Sequence, residues 1–132
     1  MNYRKLAEAA RKAKKHSYSP YSRFRVGAAV LTRTGKTYTG CNIENSSFGL
    51  TVCAERTAIF KAVSEGQRRF EAVAVASDAP GFTPPCGACR QVLFDLAGDI
   101  DVVLTNGKGS TKVLKMKDLM PYPFDGSDLK IK

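Results

Sequence analysis

The stretch Cys53-Ala54-Glu55, followed by Pro84-Pro85-Cys86-Gly87-Ala88-Cys89, decides how this chain folds and what chemistry it can carry. It supplies three thiols in metal-ligand spacing and one carboxylate that is not needed as a ligand. A structural zinc is closed by a fourth protein ligand, whereas a catalytic zinc keeps one position open for water or substrate. Three cysteines therefore indicate an open zinc site, and so an enzyme.

The spacing within these motifs predicts two helix N-termini that face one metal. Cys86 and Cys89 are three residues apart, so both sulfurs share one face of a first turn if a helix begins at Cys86. Cys53 and Glu55 are two apart, and their side chains converge only if Cys53 stands at the non-helical start of a helix. Residues 54–63 carry the apolar pattern of an amphipathic helix. The positive ends of two helix dipoles would favour thiolate ligands.

Positive side chains follow each ligand cluster. Three thiolates on a divalent zinc make a negative centre, which activates water poorly unless its charge is offset. Arg56 is three residues after Cys53, and Arg90 directly follows Cys89. Each arginine can reach a sulfur from the first or second helical turn, and we expect both to withdraw charge from the thiolates by hydrogen bonding. The alternative for either one is a solvated arginine in a basic chain.

These motifs resemble those of a known enzyme family. A cysteine two residues before a glutamate, with Pro-Cys-x-x-Cys later in the chain, is the signature of zinc nucleobase deaminases. The stretches Gly40-Cys41-Asn42-Ile43-Glu44-Asn45, Cys53-Ala54-Glu55-Arg56-Thr57-Ala58 and Pro85-Cys86-Gly87-Ala88-Cys89-Arg90-Gln91 are similar to the small homotetrameric cytidine deaminases. The likeness covers nearly the whole chain, including residues 20–29 and 121–129. It implies zinc-dependent hydrolytic deamination of cytidine and deoxycytidine to uridine and deoxyuridine, with release of ammonia, in pyrimidine salvage.

The resemblance implies roles at the reacting atoms that suit the residue types. It makes Cys53, Cys86 and Cys89 the ligands of one Zn²⁺ per chain, and it makes Glu55 the proton shuttle. Deamination of a cytosine ring needs a proton for the ring nitrogen and another for the departing ammonia, and one carboxylate can deliver both. A lone glutamate in a first helical turn would be read as a favourable cap, and its offset from Cys53 favours the catalytic role.

The resemblance also implies a set of substrate contacts. Asn42 and Glu44 would bind the ribose hydroxyls, Phe24 would stack on the pyrimidine, and Ala54 would belong to the substrate pocket. Residues two apart share a face of an extended strand, and an amide with a carboxylate suits a diol. From the residues alone, the polar pair is more typical of a turn, and Phe24 could equally be a core aromatic.

Two aromatic residues are expected at subunit contacts. In the family an aromatic residue from the C-terminal tail, here Phe124, closes the pocket of a neighbouring subunit. Phe48 stands where the family commonly has Tyr, which puts any polar contact across the interface in doubt and leaves its packing role intact. We therefore expect a homotetramer whose pockets are shared between subunits.

Length and composition predict one domain, residues 1–132, with 43% hydrophobic residues for a single core. No run reaches the roughly eighteen apolar residues of a membrane span, and the basic N-terminus lacks the apolar stretch of a signal peptide. Three cysteines in ligand spacing favour a reducing compartment, so we expect a cytoplasmic protein. Cys41, left without a ligand role, is expected to be a small buried hydrophobe.

A formal net charge of +9 is the main argument for another class of function. It would suit a zinc-stabilised nucleic-acid-binding module or a deaminase that acts on RNA. Aromatic residues are sparse in the basic stretches, however, so nucleic acid is not expected as the substrate. A second alternative is an aminohydrolase of the same fold that acts on a cytosine-containing antibiotic such as blasticidin. Asn42 and Glu44 favour the nucleoside over that alternative.

The order of apolar segments predicts a three-layer α/β/α sandwich with a mixed sheet of about five strands. A helix is expected over residues 3–15, a hairpin over 24–32 and 36–42, and a central strand over 71–76. A last hairpin is expected over 101–105 and 111–114, around Asn106-Gly107. The proline-rich loop of residues 77–85 should form one wall of the pocket.

Overall fold

The computed structural model describes residues 2–129, so residues 1 and 130–132 of the predicted domain lie outside the described part. Five strands form one mixed sheet in the order β2-β1-β3-β4-β5. β1 is antiparallel to β2 and β3, β3 is parallel to β4, and β5 is antiparallel to β4. Their bounds are β1 Val26–Thr32, β2 Thr37–Cys41, β3 Phe70–Ser77, β4 Asp101–Thr105 and β5 Thr111–Lys115.

Helices cover both faces of this sheet. Within residues 2–129 they are α1 Arg4–Lys14, α2 Ala54–Ser64, α3 Gly87–Ala97 and the single turn α4 Met116–Leu119, with short 3₁₀ turns at Phe48–Leu50 and Gly126–Leu129. None of these helices has the length and apolar character needed to cross a membrane.

The central strand β3 shows why the chain forms three layers. Successive side chains of a strand point to opposite faces, and β3 is apolar on both. Its alanines pack with α1, in a cluster that contains Leu6, Ala7, Ala10, Ala29, Ala72, Ala74, Ala76 and Val103. Its valines pack with α2 and α3, in a cluster that contains Ala58, Ile59, Val73, Val75, Leu93, Val102 and Leu104. The predicted α/β/α sandwich with a central third strand is confirmed.

Two glycines let helices lie directly on the sheet. A Cβ at Gly27 would overlap the carbonyl oxygen of Ala10 in α1. A Cβ at Gly40 would lie 2.5 Å from the nitrogen of Ala58 in α2. The two positions therefore bring backbone against backbone on opposite faces of the sheet.

The strand register brings several chain segments to one end of the sheet. Val26 pairs with Ser77 and Gly27 pairs with Cys41, so the start of β1 lies beside the ends of β2 and β3. The first strand begins at Val26, two residues later than the sequence indicates. The Phe24 carbonyl group and the Arg25 nitrogen are bound by the side chains of Asn42 and Asp78 instead of by a neighbouring strand.

Candidate active site

The three predicted ligand cysteines lie together at this end of the sheet. Their Sγ atoms are all within 4.8 Å of one another, and those of Cys53 and Cys86 are 3.8 Å apart. Two sulfurs each about 2.3 Å from a tetrahedral zinc would lie about 3.8 Å apart, so the donor set and its spacing fit this metal. Within residues 2–129 the group contains three donors, and Cys41 lies outside it, half-buried.

Helix boundaries bring the thiols and Glu55 together. Cys53 and Cys86 are the residues before α2 and α3, and both have extended backbone, with ψ of 157° and 170°. Cys53 therefore precedes the helical turn that contains Glu55, as the two-residue spacing required. Cys89 lies in the first turn of α3 and is fully buried. Two helix N-termini thus face the sulfur cluster.

The two arginines beside the ligands make different contacts. Arg56 Nη2 donates to Cys53 Sγ at 3.4 Å, as expected of a group that withdraws charge from sulfur. Arg90 donates through Nε to the carbonyl oxygen of Pro85 at 2.8 Å and through Nη1 to that of Leu119 at 3.3 Å. Its guanidinium is thus engaged with the loop that delivers Cys86, where free carbonyl groups compete with sulfur for its donors.

Local contacts separate the thiols into stronger and weaker acids. A hydrogen bond from the Cys89 thiol, supported by Arg56, lowers the pKa of Cys53 to about 5. The same bond and burial raise the pKa of Cys89 well above its ordinary value. Cys53 is therefore the thiolate of this pair before metal binds, and a metal must displace the proton on Cys89.

Glu55 is a buried carboxyl group beside the sulfurs. Only 4% of the residue is exposed. Burial raises the pKa of Glu55 to about 7, and the neighbouring Cys53 thiolate contributes in the same direction. A carboxyl group with a pKa near neutrality can both accept and donate a proton during turnover.

Cys53, Cys86 and Glu55 line a cavity of about 270 Å³, and Cys89 is buried behind it. Predicted substrate contacts from three parts of the chain share its lining: Phe24, Asn42, Glu44 and Ala54. Thr83 and Pro84 form part of the wall, as expected of the loop over residues 77–85. Sequence reasoning missed Ser22, Val26 and Thr51, which also line the cavity; for Thr51 the only signal was its position two residues before Cys53.

The proposed sugar-binding side chains already have partners within the chain. Asn42 Oδ1 accepts from the backbone nitrogen of Val26 at 2.9 Å, and Asn42 Nδ2 donates to the carbonyl oxygen of Phe24 at 2.8 Å. Glu44 Oε1 accepts from the nitrogens of Tyr21 and Ser22 at 2.9 and 3.1 Å. Hydrogen bonds from the Ser22 hydroxyl and from these nitrogens lower the pKa of Glu44. Both side chains therefore hold the segment that carries Phe24.

The two aromatic residues expected at subunit contacts lie outside this cavity. Phe48 is 71% exposed and packs edge-to-face on Tyr21, with ring centroids 5.6 Å apart. It lines a neighbouring cavity of about 370 Å³ that shares Ser22, Glu44 and Thr51 with the first one. Phe124 is 55% exposed, and its carbonyl oxygen accepts from Gln91 Nε2 at 2.7 Å.

Comparison with known proteins identifies the family. Residues 1–105 match the family model described as the cytidine and deoxycytidylate deaminase zinc-binding region. A cytidine deaminase of Sporosarcina psychrophila is 49% identical over 130 residues, which cover 98% of this chain and 96% of that one. A probable cytidine deaminase of Dictyostelium discoideum is 48% identical over 95% of this chain and 85% of its own.

A solved structure agrees with these sequence matches. The crystal structure of cytidine deaminase from Burkholderia pseudomallei superposes with a TM-score of 0.90 at 48% identity, over 94% of this chain and all of that one. The family model, the relatives and this fold lead to one conclusion: the chain belongs to the cytidine and deoxycytidylate deaminase family, whose zinc-binding region it carries.

Proposed function

We propose that this protein deaminates cytidine and deoxycytidine to uridine and deoxyuridine, with release of ammonia, as a step of pyrimidine salvage. The observation that carries the proposal is the convergence of Cys53, Cys86 and the buried Glu55 on one cavity. The cavity volume of about 270 Å³ lies just below the range of roughly 300–1,000 Å³ that is typical of small-molecule pockets. The relatives at 47–49% identity bear the name cytidine deaminase.

A metal held by the three cysteines would assist the reaction, and Glu55 would move the protons. Cys53, Cys86 and Cys89 would hold one Zn²⁺. When bound, this ion would act as a Lewis acid that lowers the pKa of water to about 7. Glu55 takes a proton from the water that attacks C4 of the ring and delivers it to N3. Glu55 then takes the proton of the hydroxyl group now on C4 and gives it to N4, and the C4–N4 bond breaks as ammonia leaves. The overall balance is one water consumed and one ammonia released.

The remaining wall residues would hold the nucleoside. Phe24 is 38% exposed and contributes to the cavity wall, which suits stacking on a pyrimidine. Ala54 is fully buried in the first turn of α2, and its small side chain leaves room for the ring. Asn42 and Glu44 line the same cavity, and we assign them to the ribose hydroxyls in addition to their contacts with the Phe24 segment.

We also propose a homotetramer in the cytoplasm, built from one catalytic domain per chain. Large apolar side chains are exposed beside the cavity, including Phe48 at 71%, Leu50 at 67% and Phe60 at 47%. Patches of this kind mark association surfaces. Phe48→Ser should lower the mass measured by sedimentation at assay concentration, whereas a wild type that is monomeric and fully active would refute the tetramer.

The test of function is the loss of cytidine absorbance as uridine forms, on samples whose zinc content is measured. Glu55→Gln should keep one zinc per chain and lose activity by several orders of magnitude, because the amide cannot carry a proton. Glu65→Gln, an exposed change at the residue that follows the same helix, is the charge-matched control. If the wild type binds zinc but acts on neither nucleoside, the substrate assignment is wrong, and blasticidin and single-stranded RNA are tested next.

A further inference from the structure

The cavity wall that contains Phe24 is held in place by hydrogen bonds from side chains of other segments. Phe24 lies in residues 21–25, which precede the strand β1, and the backbone polar groups of this segment bond mainly outside the sheet. The amide of Asn42 binds both the Phe24 carbonyl group and the Val26 nitrogen. Glu44 binds the segment at Tyr21 and Ser22. Position 25 between these anchors is bound by a residue that no catalytic or substrate-binding role explains, Asp78.

Asp78 binds both the backbone and the side chain of Arg25. Asp78 Oδ2 accepts from the backbone nitrogen and from Nε of Arg25, and Oδ1 accepts from Nη2, each at 3.0 Å. The Asp78 nitrogen donates back to the Arg25 carbonyl oxygen at 3.1 Å. Two parallel charge-assisted bonds between a guanidinium and a carboxylate fix orientation as well as distance. Arg25, next to Phe24, is therefore held in one position.

The opposite wall is connected to Asp78 through the backbone. Asp78 begins the loop that leads to Cys86, and Lys14 Nζ lies 3.3 Å both from Asp78 Oδ1 and from the Ser77 carbonyl oxygen. The hydroxyl of Ser77 bonds that of Thr83 at 2.6 Å and accepts from the nitrogen of Ala79 at 3.1 Å. The bond between Ser77 and Thr83 folds the loop back, and Thr83 and Pro84 line the cavity.

We propose that Asp78 is a positioning residue that sets the distance between the Phe24 wall and the Thr83–Pro84 wall of the substrate cavity. The proposal rests on the proposed function. Asp78 does not line the cavity, and Arg25 and Lys14 offset its charge, so it acts through its neighbours. The sulfur cluster and Glu55 are held by α2 and α3, with which Asp78 makes no hydrogen bond or ion pair in the described residues. Asp78 should therefore govern how tightly the ring is bound and have little effect on proton transfer.

Steady-state kinetics on cytidine, with zinc content measured for every sample, tests this division. Asp78→Asn should raise KM about tenfold, because a loosened wall binds substrate and transition state equally less well, while kcat changes less than about threefold. Arg25→Gln removes the same paired bonds from the other side and should have the same effect. The double variant should be no worse than either single one, since the two residues form one unit. Arg25→Lys, which keeps a charge but not the paired geometry, should lie in between.

Asp95→Asn is the matched control, because it changes the net charge equally at an exposed position on α3. If Asp78→Asn does not fold, Arg25→Gln alone carries the test. An unchanged KM in both variants, a fall in kcat at constant KM, or effects of the two changes that multiply would overturn the inference. A wild type that does not deaminate cytidine would instead overturn the proposed function and this inference with it.

Discussion

Substituting Gly40 by alanine tests how closely the sheet controls the metal site. Gly40 lies in β2 against α2, the helix that begins at Cys53 and contains Glu55. An added Cβ would lie 2.5 Å from the nitrogen of Ala58 and 2.7 Å from the carbonyl oxygen of Ala54, whereas ordinary contact begins at 3.4 Å. These atoms belong to the helix backbone, so no side-chain rotation can relieve the overlap. The first turns of α2 must therefore move by up to about 0.9 Å, or the strand must bend away by a similar amount.

The shift has two measurable costs. Overpacking of this kind destabilises by about 1–3 kcal/mol. A displacement of about 1 Å in a catalytic group can cost roughly a hundredfold in rate. We expect Gly40→Ala to lower kcat/KM for cytidine by about ten- to a hundredfold and to weaken zinc retention against a chelator, because Cys53 and Glu55 move together.

Substitutions at two other glycines separate a loss of stability from an effect on the metal site. Gly27→Ala crowds α1 on the opposite face of the sheet, and should lower stability with a much smaller effect on zinc retention. Gly107→Ala adds a methyl group where no atom lies within 4 Å and should leave both properties unchanged. The measurements are urea unfolding, chelator competition and cytidine turnover. A Gly40→Ala protein that matches Gly107→Ala in zinc retention and turnover would show that α2 is not held in place by this contact.

Four further outcomes are expected. Cys41→Ser should keep one zinc per chain and most activity, and stoichiometric loss of metal would show that the site is not open. Arg56→Gln should weaken zinc retention, because Cys53 loses its positive partner, whereas Arg90→Gln should affect retention less; equal losses would contradict the contacts seen. Hydrogen bonds from Arg25 and from Lys14 lower the pKa of Asp78 to about 2, so the stabilisation that its carboxylate contributes is present above the unfolded value of about 3.9 and disappears as pH falls toward 2. Asp78→Asn should flatten acid unfolding in that window relative to Asp95→Asn, and parallel curves would refute it. Turnover of the neutral nucleoside should hardly respond to salt, whereas a steep fall would point to a polyanionic ligand.

Motif spacing predicted much of the site because the residues within each ligand motif are close in sequence. The two-residue offset of Cys53 and Glu55 is compatible with convergence only at a helix start, and the structure has that boundary at Cys53. The short apolar run of residues 71–76 predicted a central strand for the same local reason. Strand order and the parallel pairing of β3 with β4 depend on contacts between distant segments, and no local pattern specified them.

The two arginines show where local reasoning stops. Arg56 is three residues after Cys53 and Arg90 is four residues after Cys86, so the sequence predicts the same role for both. Only Arg56 reaches sulfur, because the guanidinium of Arg90 finds the carbonyl groups of Pro85 and of Leu119, 29 residues away. A long side chain is directed by the unsatisfied acceptors around it, and these are known only when the chain has folded.

The same argument explains why the cavity has two kinds of boundary. Cys53 and Glu55 stand at the start of α2, which is packed directly against the sheet where Gly40 leaves no intervening side chain. The substrate wall at Phe24 stands on an irregular segment, and irregular backbone near a cavity needs partners for each polar group. Asn42, Glu44 and Asp78 supply them from the ends of β2 and β3. A change at Gly40 should therefore appear in kcat and zinc retention, and a change at Asp78 in KM. If both substitutions altered the same parameter, the cavity would behave as one mechanical unit and this division would be wrong.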